Sequence, residues 1–279
     1  MDWKGREQSQ NVEDRRGSSG GGGGGRTPGI LGIIVVLIGA YYGVDLSGLV
    51  GTPSMGTGST QTSQLKPQEE AELNELARVV LADTEKAWGS YFKQIGRTYT
   101  PTTLVLYNGG TSTACGMGQS AMGPFYCPGD QKVYLDLDFY RDMQTKLNSA
   151  SDAAFAYVIA HEVGHHVQNL LGTLPKVHRM QQQVGKKEAN ALSVKLELQA
   201  DCYAGIWGHY AVNNNIFKPE DIPKAMLAAE SVGDDRLQKD GQGYVVPDSF
   251  THGSSEQRMA WLKRGLDSGD INQCNTFGN

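Results

Sequence analysis

The feature that most constrains this chain is the spacing of two histidines, His161 and His165, in the sequence HEVGH. Residues four apart on an α-helix lie on one face, so two imidazoles at this spacing can reach one metal ion. The surrounding AYVIAHEVGHHVQNLL contains no proline and has helical character. Glu162 lies beside the first histidine and can act as a general base on a water at the metal. His166 points about 100° away from His165 around the helix and is interpreted as structural.

A catalytic zinc needs a third protein ligand and an open fourth position. The sequence ELQAD places Glu197 and Asp201 four residues apart on a predicted helix otherwise rich in Leu and Ala. Two acids on an apolar helix face are costly to bury unless they are paired or bind metal. We assign Glu197 as the third ligand and Asp201 as an acceptor that orients a ligand imidazole. The alternatives are Asp201 as the ligand, or a solvated charged face.

The pairing of HEVGH with ELQAD resembles the gluzincin branch of zincin metallopeptidases, and is similar in particular to CAAX prenyl endopeptidases and heat-shock membrane proteases. Those families also carry a late His-Pro-x-x-x-x-Arg motif. Here His252 and Arg258 have that spacing, with Gly253 in place of the proline. Over roughly residues 66–279 the chain most resembles bacterial neutral zinc metallopeptidases with one N-terminal anchor. The resemblance implies that His252 and Arg258 help to stabilise the tetrahedral intermediate. We assign His252 to catalysis and Arg258 to support behind the ligands.

These residues predict a Zn²⁺-dependent peptidase in which Glu162 takes a proton from the attacking water. The partner is a peptide or protein substrate, which could lie along an exposed edge strand, with Val133–Asp138 as the candidate. Two other functions stay open: a membrane-tethered zinc-binding module without peptidase activity, and a zinc hydrolase of a non-peptide amide. The intact Glu162 argues against the first, because a purely structural site needs no general base.

The charge balance excludes one class of partner. Acidic groups outnumber basic ones, 30 against 25, and the net charge is −5. Nucleic-acid binding would usually need a basic face, so no nucleic-acid partner is expected. The oligomeric state is not indicated by the sequence.

The run Pro28–Val44 carries no charge and is rich in Ile, Val and Leu, at the lower limit of length for spanning a bilayer. Five Lys and Arg residues precede it and none follows until Lys66, so the positive-inside rule places the N-terminus in the cytoplasm. We predict a single-pass protein of the inner (cytoplasmic) membrane with an extracytoplasmic, periplasmic catalytic domain. The alternatives are a cleaved signal peptide, although no A-x-A site follows the run, and a buried core helix.

Composition divides the chain into four parts: a disordered cytoplasmic tail at 1–27, a transmembrane anchor at 28–44, a flexible linker at 45–65 and a zinc metallopeptidase domain at 66–279. The predicted fold is α+β and mostly helical, a zincin-like domain with a small sheet, preceded by one transmembrane helix.

Apolar periodicity, capping residues and proline positions predict the individual elements. Helices are expected at 67–95, 152–171 and 187–212, after Lys218-Pro219 and from near Ser254, and strands at Leu104–Tyr107 and Val133–Leu137. The two acids in 233–238 are interpreted as part of a helix C-cap and turn rather than as a calcium site.

The four cysteines fit an oxidising exterior. Four cysteines allow three pairings, and the sequence alone does not select one. We predict Cys115–Cys127 and Cys202–Cys274, the second of which would pin the C-terminal tail beside the helix of Glu197 and Asp201. Four reduced thiols are the alternative.

Overall fold

The computed structural model describes residues 1–17 and 63–278. The predicted anchor at 28–44 and nearly all of the predicted linker at 45–65 lie outside these ranges. No helix within them is long and apolar enough to cross a membrane.

Long helices dominate the described ranges. They are α1 (Pro67–Gln94), α2 (Phe139–Thr145), α3 (Asp152–Leu170), α4 (Thr173–Gln181), α5 (Lys186–Asn213), α6 (Ile222–Ser231), α7 (Asp234–Gln242) and α8 (Ser255–Ser268). Short 3₁₀ helices occur at Ser120–Met122, Pro219–Asp221, Pro247–Ser249 and Ile271–Cys274. Ser151 caps α3, and the predicted capping box of Ser254 and Gln257 begins α8. The prediction of a mostly helical α+β fold is confirmed.

The strands form one mixed sheet and one separate hairpin. They are β1 (Val12–Asp14), β2 (Thr103–Tyr107), β3 (Gly110–Thr113), β4 (Gly116–Gln119), β5 (Phe125–Cys127) and β6 (Lys132–Asp136). The sheet has the order β1-β2-β6-β5, with β1–β2 and β2–β6 parallel and β6–β5 antiparallel. β3 and β4 pair with each other as an antiparallel hairpin.

The choice of Val133–Asp138 as the exposed edge strand is wrong. β6 lies inside the sheet, where Val133 pairs with Leu104 of β2 on one side and with Tyr126 of β5 on the other. β5 occupies the edge instead. Alternation along β6 does not reveal this position, because the order of strands in a sheet depends on partners that are distant in sequence.

The prediction of a disordered tail is wrong for residues 1–17. The Trp3 side chain is buried, and its indole Nε1 donates to Asp152 Oδ2 at 2.8 Å. β1 adds a parallel strand to β2, in the register Val12 to Leu104. Residues 18–27 of the predicted tail lie outside the described residues.

Small residues allow the helices that carry the site to approach closely. A Cβ added at Gly164, inside the HEVGH sequence, would lie 3.0 Å from the carbonyl oxygen of Ala200 on α5. A Cβ added at Gly265 of α8 would collide with the carbonyl oxygen of Cys202 on α5. α5 is therefore held tightly between α3 and α8, which brings three groups of predicted site residues together.

Both predicted disulfides are confirmed. Cys115, in the turn between β3 and β4, is bonded to Cys127 at the end of β5, with Cα atoms 5.8 Å apart. Cys202 of α5 is bonded to Cys274, with Cα atoms 5.6 Å apart. The second bridge fixes the C-terminal segment beside the helix of Glu197 and Asp201.

Candidate metal centre

Three potential ligands converge where α3 meets α5. His161 Nε2 lies 3.0 Å from Glu197 Oε2, and His165 Nε2 lies 3.3 Å from Glu197 Oε1. One ligand atom from each residue lies within 4.8 Å of the other two. The predicted third ligand is thus close to both histidines, and two imidazoles with one carboxylate are a donor set typical of catalytic zinc.

The electrostatics of this cluster favour a cation. Burial alone would lower the pKa of His161, but the carboxylates of Asp201 and Glu197 outweigh burial and raise that pKa to about 10. Burial would likewise raise the pKa of Glu197, but the two imidazoles hold it well below its usual value. Both shifts mean that the pocket between these side chains stabilises positive charge.

Glu162 is buried beside the ligands. Among the described residues its carboxylate has no hydrogen-bond partner, and it lines the same cleft as His161 and His165. Burial raises the pKa of Glu162. A buried carboxylate whose pKa is raised, and which is not hydrogen-bonded to another group, is suited to accept and release a proton.

Asp201 lies behind His161 rather than among the ligands. Its Oδ1 accepts hydrogen bonds from His161 Nδ1 at 2.8 Å and from the Tyr157 hydroxyl at 2.6 Å. Because a carboxylate can only accept here, His161 carries its proton on Nδ1 and presents Nε2 to the metal position. This geometry fits the orienting role assigned to Asp201 and leaves no place for it as a ligand.

Arg258 is committed to Asp201. Its Nε donates to Asp201 Oδ2 at 2.8 Å and its Nη2 to Asp201 Oδ1 at 3.0 Å, while Nη1 donates to the carbonyl of Val232 at 3.3 Å. Burial would raise the pKa of Asp201, but Arg258 and His161 outweigh it and lower that pKa. The guanidinium thus lies behind the ligands and supports Asp201, the position assigned to Arg258, with Nη2 also 3.9 Å from Glu197 Oε2. The help in stabilising the tetrahedral intermediate that the resemblance implies stays a prediction.

His252 lines the cleft and is held by a residue that the sequence analysis missed. Its Nδ1 lies 2.9 Å from Thr251 Oγ1 and 3.3 Å from Asp234 Oδ1. Asp234 Oδ2 also accepts the backbone N–H groups of residues 251, 252 and 253, at 2.7–3.0 Å. Asp234 begins α7, so the interpretation of 233–238 as a C-cap and turn is wrong. No local spacing links Asp234 to His252.

The cleft around these groups has a volume of about 240 Å³. Apart from the site itself, its walls are mainly apolar and come from β5, α3, α4 and α5. They include Phe125, Tyr126, Val158, Leu174 and Leu196. The edge strand β5 thus forms one wall of the cleft that contains Glu162.

His166 and His178 differ from the ligand histidines. His166 lies off the metal face, where Nε2 contacts the carbonyl of Thr100 at 2.7 Å and Nδ1 contacts the Tyr126 hydroxyl at 3.0 Å. This fits the predicted structural role. His178 of α4 lines the cleft and was not predicted; burial and the nearby His165 lower its pKa.

Comparison with known protein families identifies the family of this chain. The chain matches the family described as "Putative neutral zinc metallopeptidase" over residues 1–277. The chain belongs to this family. The resemblance stated from HEVGH and ELQAD is thereby confirmed, and the match also includes the N-terminal segment that packs on the domain.

The chain has relatives in Escherichia coli and Mycobacterium tuberculosis. It is 54% identical over 287 residues to YpfJ of Escherichia coli (strain K12), an alignment covering 100% of this chain and 99% of the relative. It is 40% identical over 219 residues to Rv2575 of Mycobacterium tuberculosis (strain H37Rv), covering 74% of this chain and 73% of the relative. Neither name states an activity. No solved structure matches the chain.

Proposed function

We propose that this protein is a zinc-dependent peptidase in which His161, His165 and Glu197 bind the ion. The observation that carries the proposal is the convergence of these ligands beside the carboxylate of Glu162, which is not hydrogen-bonded to another group, in one cleft. The donor set fits zinc, because each imidazole has an acceptor on its Nδ1 and faces Glu197 with its Nε2.

When bound, zinc supplies a Lewis acid that polarises the scissile carbonyl and acidifies a water. Glu162 accepts a proton from the attacking water as the water oxygen bonds to the carbonyl carbon. It then delivers that proton to the amine nitrogen as the C–N bond breaks. His252 lines the same cleft, with its ring oriented by Asp234, and is suited to donate a hydrogen bond to the carbonyl oxygen as negative charge develops there.

The substrate peptide would add to the outer edge of β5. Among the described strands, β5 pairs only with β6, so its other edge has no strand partner, and Phe125 and Tyr126 line the cleft. Backbone hydrogen bonds to an edge strand hold an extended peptide regardless of its sequence. Apolar walls beside that strand would favour apolar side chains next to the scissile bond.

Membrane attachment through 28–44 and an extracytoplasmic location stay predictions from the sequence alone, and the packing of residues 1–17 on the domain conflicts with the single crossing on which the orientation rests.

The decisive experiment compares two glutamates. Glu162→Gln should lower the rate of hydrolysis of an unfolded protein by about 10²- to 10⁴-fold, the usual effect of losing a general base, with zinc content unchanged. Glu197→Ala should lose zinc, and activity should fall with occupancy. Both are measured on the full-length protein by elemental analysis and peptidase assay, with and without chelator, beside the exposed control Glu188→Gln.

The outcomes separate the open alternatives. Zinc binding without hydrolysis of any unfolded protein would indicate a binding module. Hydrolysis of a non-peptide amide alone, dependent on Glu162, would indicate the second hydrolase class. Loss of zinc from Glu162→Gln with retention by Glu197→Ala would mean that base and ligand have been exchanged.

A further inference from the structure

His165 is held by a chain of buried amide side chains. Its Nδ1 lies 2.9 Å from Gln168 Oε1, and Gln168 Nε2 donates to Gln199 Oε1 at 3.0 Å. Gln199 Nε2 in turn donates to the backbone carbonyl of Cys274 at 3.0 Å. Gln168 is fully buried and Gln199 nearly so. The chain therefore connects a metal ligand to the C-terminal segment through protein groups alone.

The direction of this chain is fixed by its backbone carbonyls. Gln168 Nε2 also donates to the carbonyl of Leu196 at 2.8 Å, and a carbonyl can only accept. Rotating either amide by 180° would set carbonyl oxygen against carbonyl oxygen. The Oε1 of Gln168 must therefore face His165. The Nδ1 of His165 then carries the proton, and the Nε2 of His165 is directed to the metal position.

The last acceptor of the chain is covalently tied to the helix that carries Glu197. Cys274 is bonded to Cys202 of α5, and the neighbouring Thr276 hydroxyl donates to the carbonyl of Lys195 at 2.6 Å. These two attachments hold the Cys274 carbonyl against Gln199. The disulfide and the orientation of His165 are thus parts of one arrangement.

We propose that Gln168 and Gln199 are positioning residues for His165, and that the disulfide-held carbonyl of Cys274 sets their orientation. The inference rests on the proposed function only in taking His165 as a zinc ligand. It concerns the affinity for the metal, so it can be tested without any peptidase substrate.

The test is a competition between the full-length protein and a chromophoric chelator for zinc. Gln168→Leu removes the acceptor of His165 and should weaken zinc binding about 10- to 100-fold, the usual effect of losing a group behind a ligand. Gln199→Leu should have a smaller effect, because Leu196 still orients the Gln168 amide. Gln168→Glu keeps an acceptor for Nδ1, and its second oxygen, when protonated, can donate to the Leu196 carbonyl, so this variant should recover part of the affinity lost in Gln168→Leu.

Gln181→Leu is the matched control. Gln181 lines the cleft and donates to Ser193 Oγ and the carbonyl of Ala189, without touching a ligand. Zinc affinity should not change in this variant. Affinity within twofold of the parent in both Gln168→Leu and Gln199→Leu would overturn the inference.

Two further outcomes separate this inference from the proposed function. Should Gln168→Leu fail to fold, Gln199→Leu and Gln168→Glu decide it. If the parent hydrolyses nothing, but Gln168→Leu still binds zinc more weakly than the parent, the positioning role of Gln168 stands and the proposed peptidase function fails.

A second, independent inference concerns the N-terminal segment. Contacts along its whole described length fix it to the domain: Trp3 to Asp152, Ser9 to Glu85 at 2.6 Å, β1 to β2, and Arg16 to Glu70 at 2.8 Å. A buried indole and a strand hydrogen-bonded to the edge of a mixed sheet are features of a folded core rather than of a transient contact.

These contacts conflict with a single membrane crossing. One crossing at 28–44 would leave residues 1–17 and 63–278 on opposite sides of the bilayer. We propose that the two ranges lie in one compartment, with β1 as a permanent strand of the catalytic domain. The positive-inside rule then loses its basis here, because the basic residues before the run share a side with the domain after it.

Zero-length carbodiimide cross-linking in native membranes tests this proposal. It should join Glu7 to Lys86 and Glu13 to Lys132, whose charged atoms are 2.7 Å apart in each pair. Lys187 and Asp248, 3.0 Å apart within the domain, provide the internal control. Glu7→Gln should lose only the first cross-link. The control product without either N-terminal product would overturn the proposal.

Discussion

The two histidines of the metal site are held by opposite kinds of chemistry. On the His161 side, a carboxylate, a guanidinium and a phenol meet in a buried group formed by Asp201, Arg258 and Tyr157. On the His165 side, every supporting group is a neutral amide or a backbone carbonyl. Both arrangements place an acceptor on Nδ1 of the histidine, so they differ in what the loss of one supporting group would cost in stability.

Buried charges and buried amides differ in the penalty for losing one member. Removing one partner of a buried ion pair leaves an uncompensated charge, at about 3–5 kcal/mol. Removing one amide leaves donors and acceptors unsatisfied, at about 1–3 kcal/mol. Loss of a charged group on the His161 side should therefore both destabilise the fold and weaken metal binding. Loss of an amide on the His165 side should weaken metal binding without unfolding the protein.

The largest effect is expected from Asp201→Ala. Arg258 would keep its charge in a site where it is nearly inaccessible to water, so the free energy of unfolding should fall by about 3–5 kcal/mol. His161 would also lose its acceptor, so zinc binding should weaken sharply. Denaturant unfolding and chelator competition measure the two quantities.

A double variant separates the loss of stability from the loss of zinc binding. Asp201→Leu with Arg258→Met removes both charges and should regain much of the lost stability while zinc binding stays weak. A single variant that costs less than about 1 kcal/mol would show that the charged side is no more demanding than the amide side.

The next effect comes from the two disulfides. Removing Cys202–Cys274, with a sequence separation of 72, should cost about 4 kcal/mol, against about 3 kcal/mol for Cys115–Cys127, with a separation of 12. Only the first loss should also weaken zinc binding, because it releases the Cys274 carbonyl from Gln199. Paired Cys→Ser variants are compared by unfolding and by zinc competition. Equal zinc affinity in the two Cys→Ser variants would show that the Cys202–Cys274 disulfide does not affect the orientation of His165.

The smallest effect is expected from Tyr157→Phe. Loss of the hydroxyl donated to Asp201 should cost about 1 kcal/mol, with a modest decrease in zinc affinity, because Arg258 still holds the carboxylate. Tyr126→Phe is the matched control, since that hydroxyl contacts His166 and Asn169 away from the metal. It should cost similar stability and leave zinc binding unchanged. A zinc effect as large as that of Asp201→Ala would assign the orientation of His161 to the phenol.

The sequence predicted the part of the site that lies within single helices. His161, Glu162 and His165 share one helix, and Glu197 and Asp201 share another, so a spacing of four is visible in the chain itself. Cys115 and Cys127 lie close together in the sequence, and Cys202 and Cys274 remained as the second pair. A short-range pattern therefore carries the constraint within each helix and for Cys115–Cys127, but not for Cys202–Cys274.

The missed features depend on contacts between distant residues. Asp234 is held to His252 across 18 positions, and Gln199 to Cys274 across 75, with no periodic signal at either distance. Glutamines are neutral and ordinary on helices, so Gln168 and Gln199 gave no compositional warning. β1 is three residues long and has only Val12 as an apolar member, which is too little for an alternation to appear.

The position of β1 has a consequence for producing this protein. Trimming the first 62 residues to obtain a soluble domain would remove an edge strand, because β1 covers the outer side of β2. The sequence TLVLY of β2 would then present an unpaired apolar edge, which is the kind of surface on which chains aggregate. Loss of Trp3 would also expose part of the apolar core that it packs against. Shortened versions should therefore fail by precipitation, while versions that join residues 1–17 to 63–278 through a short hydrophilic linker should stay soluble.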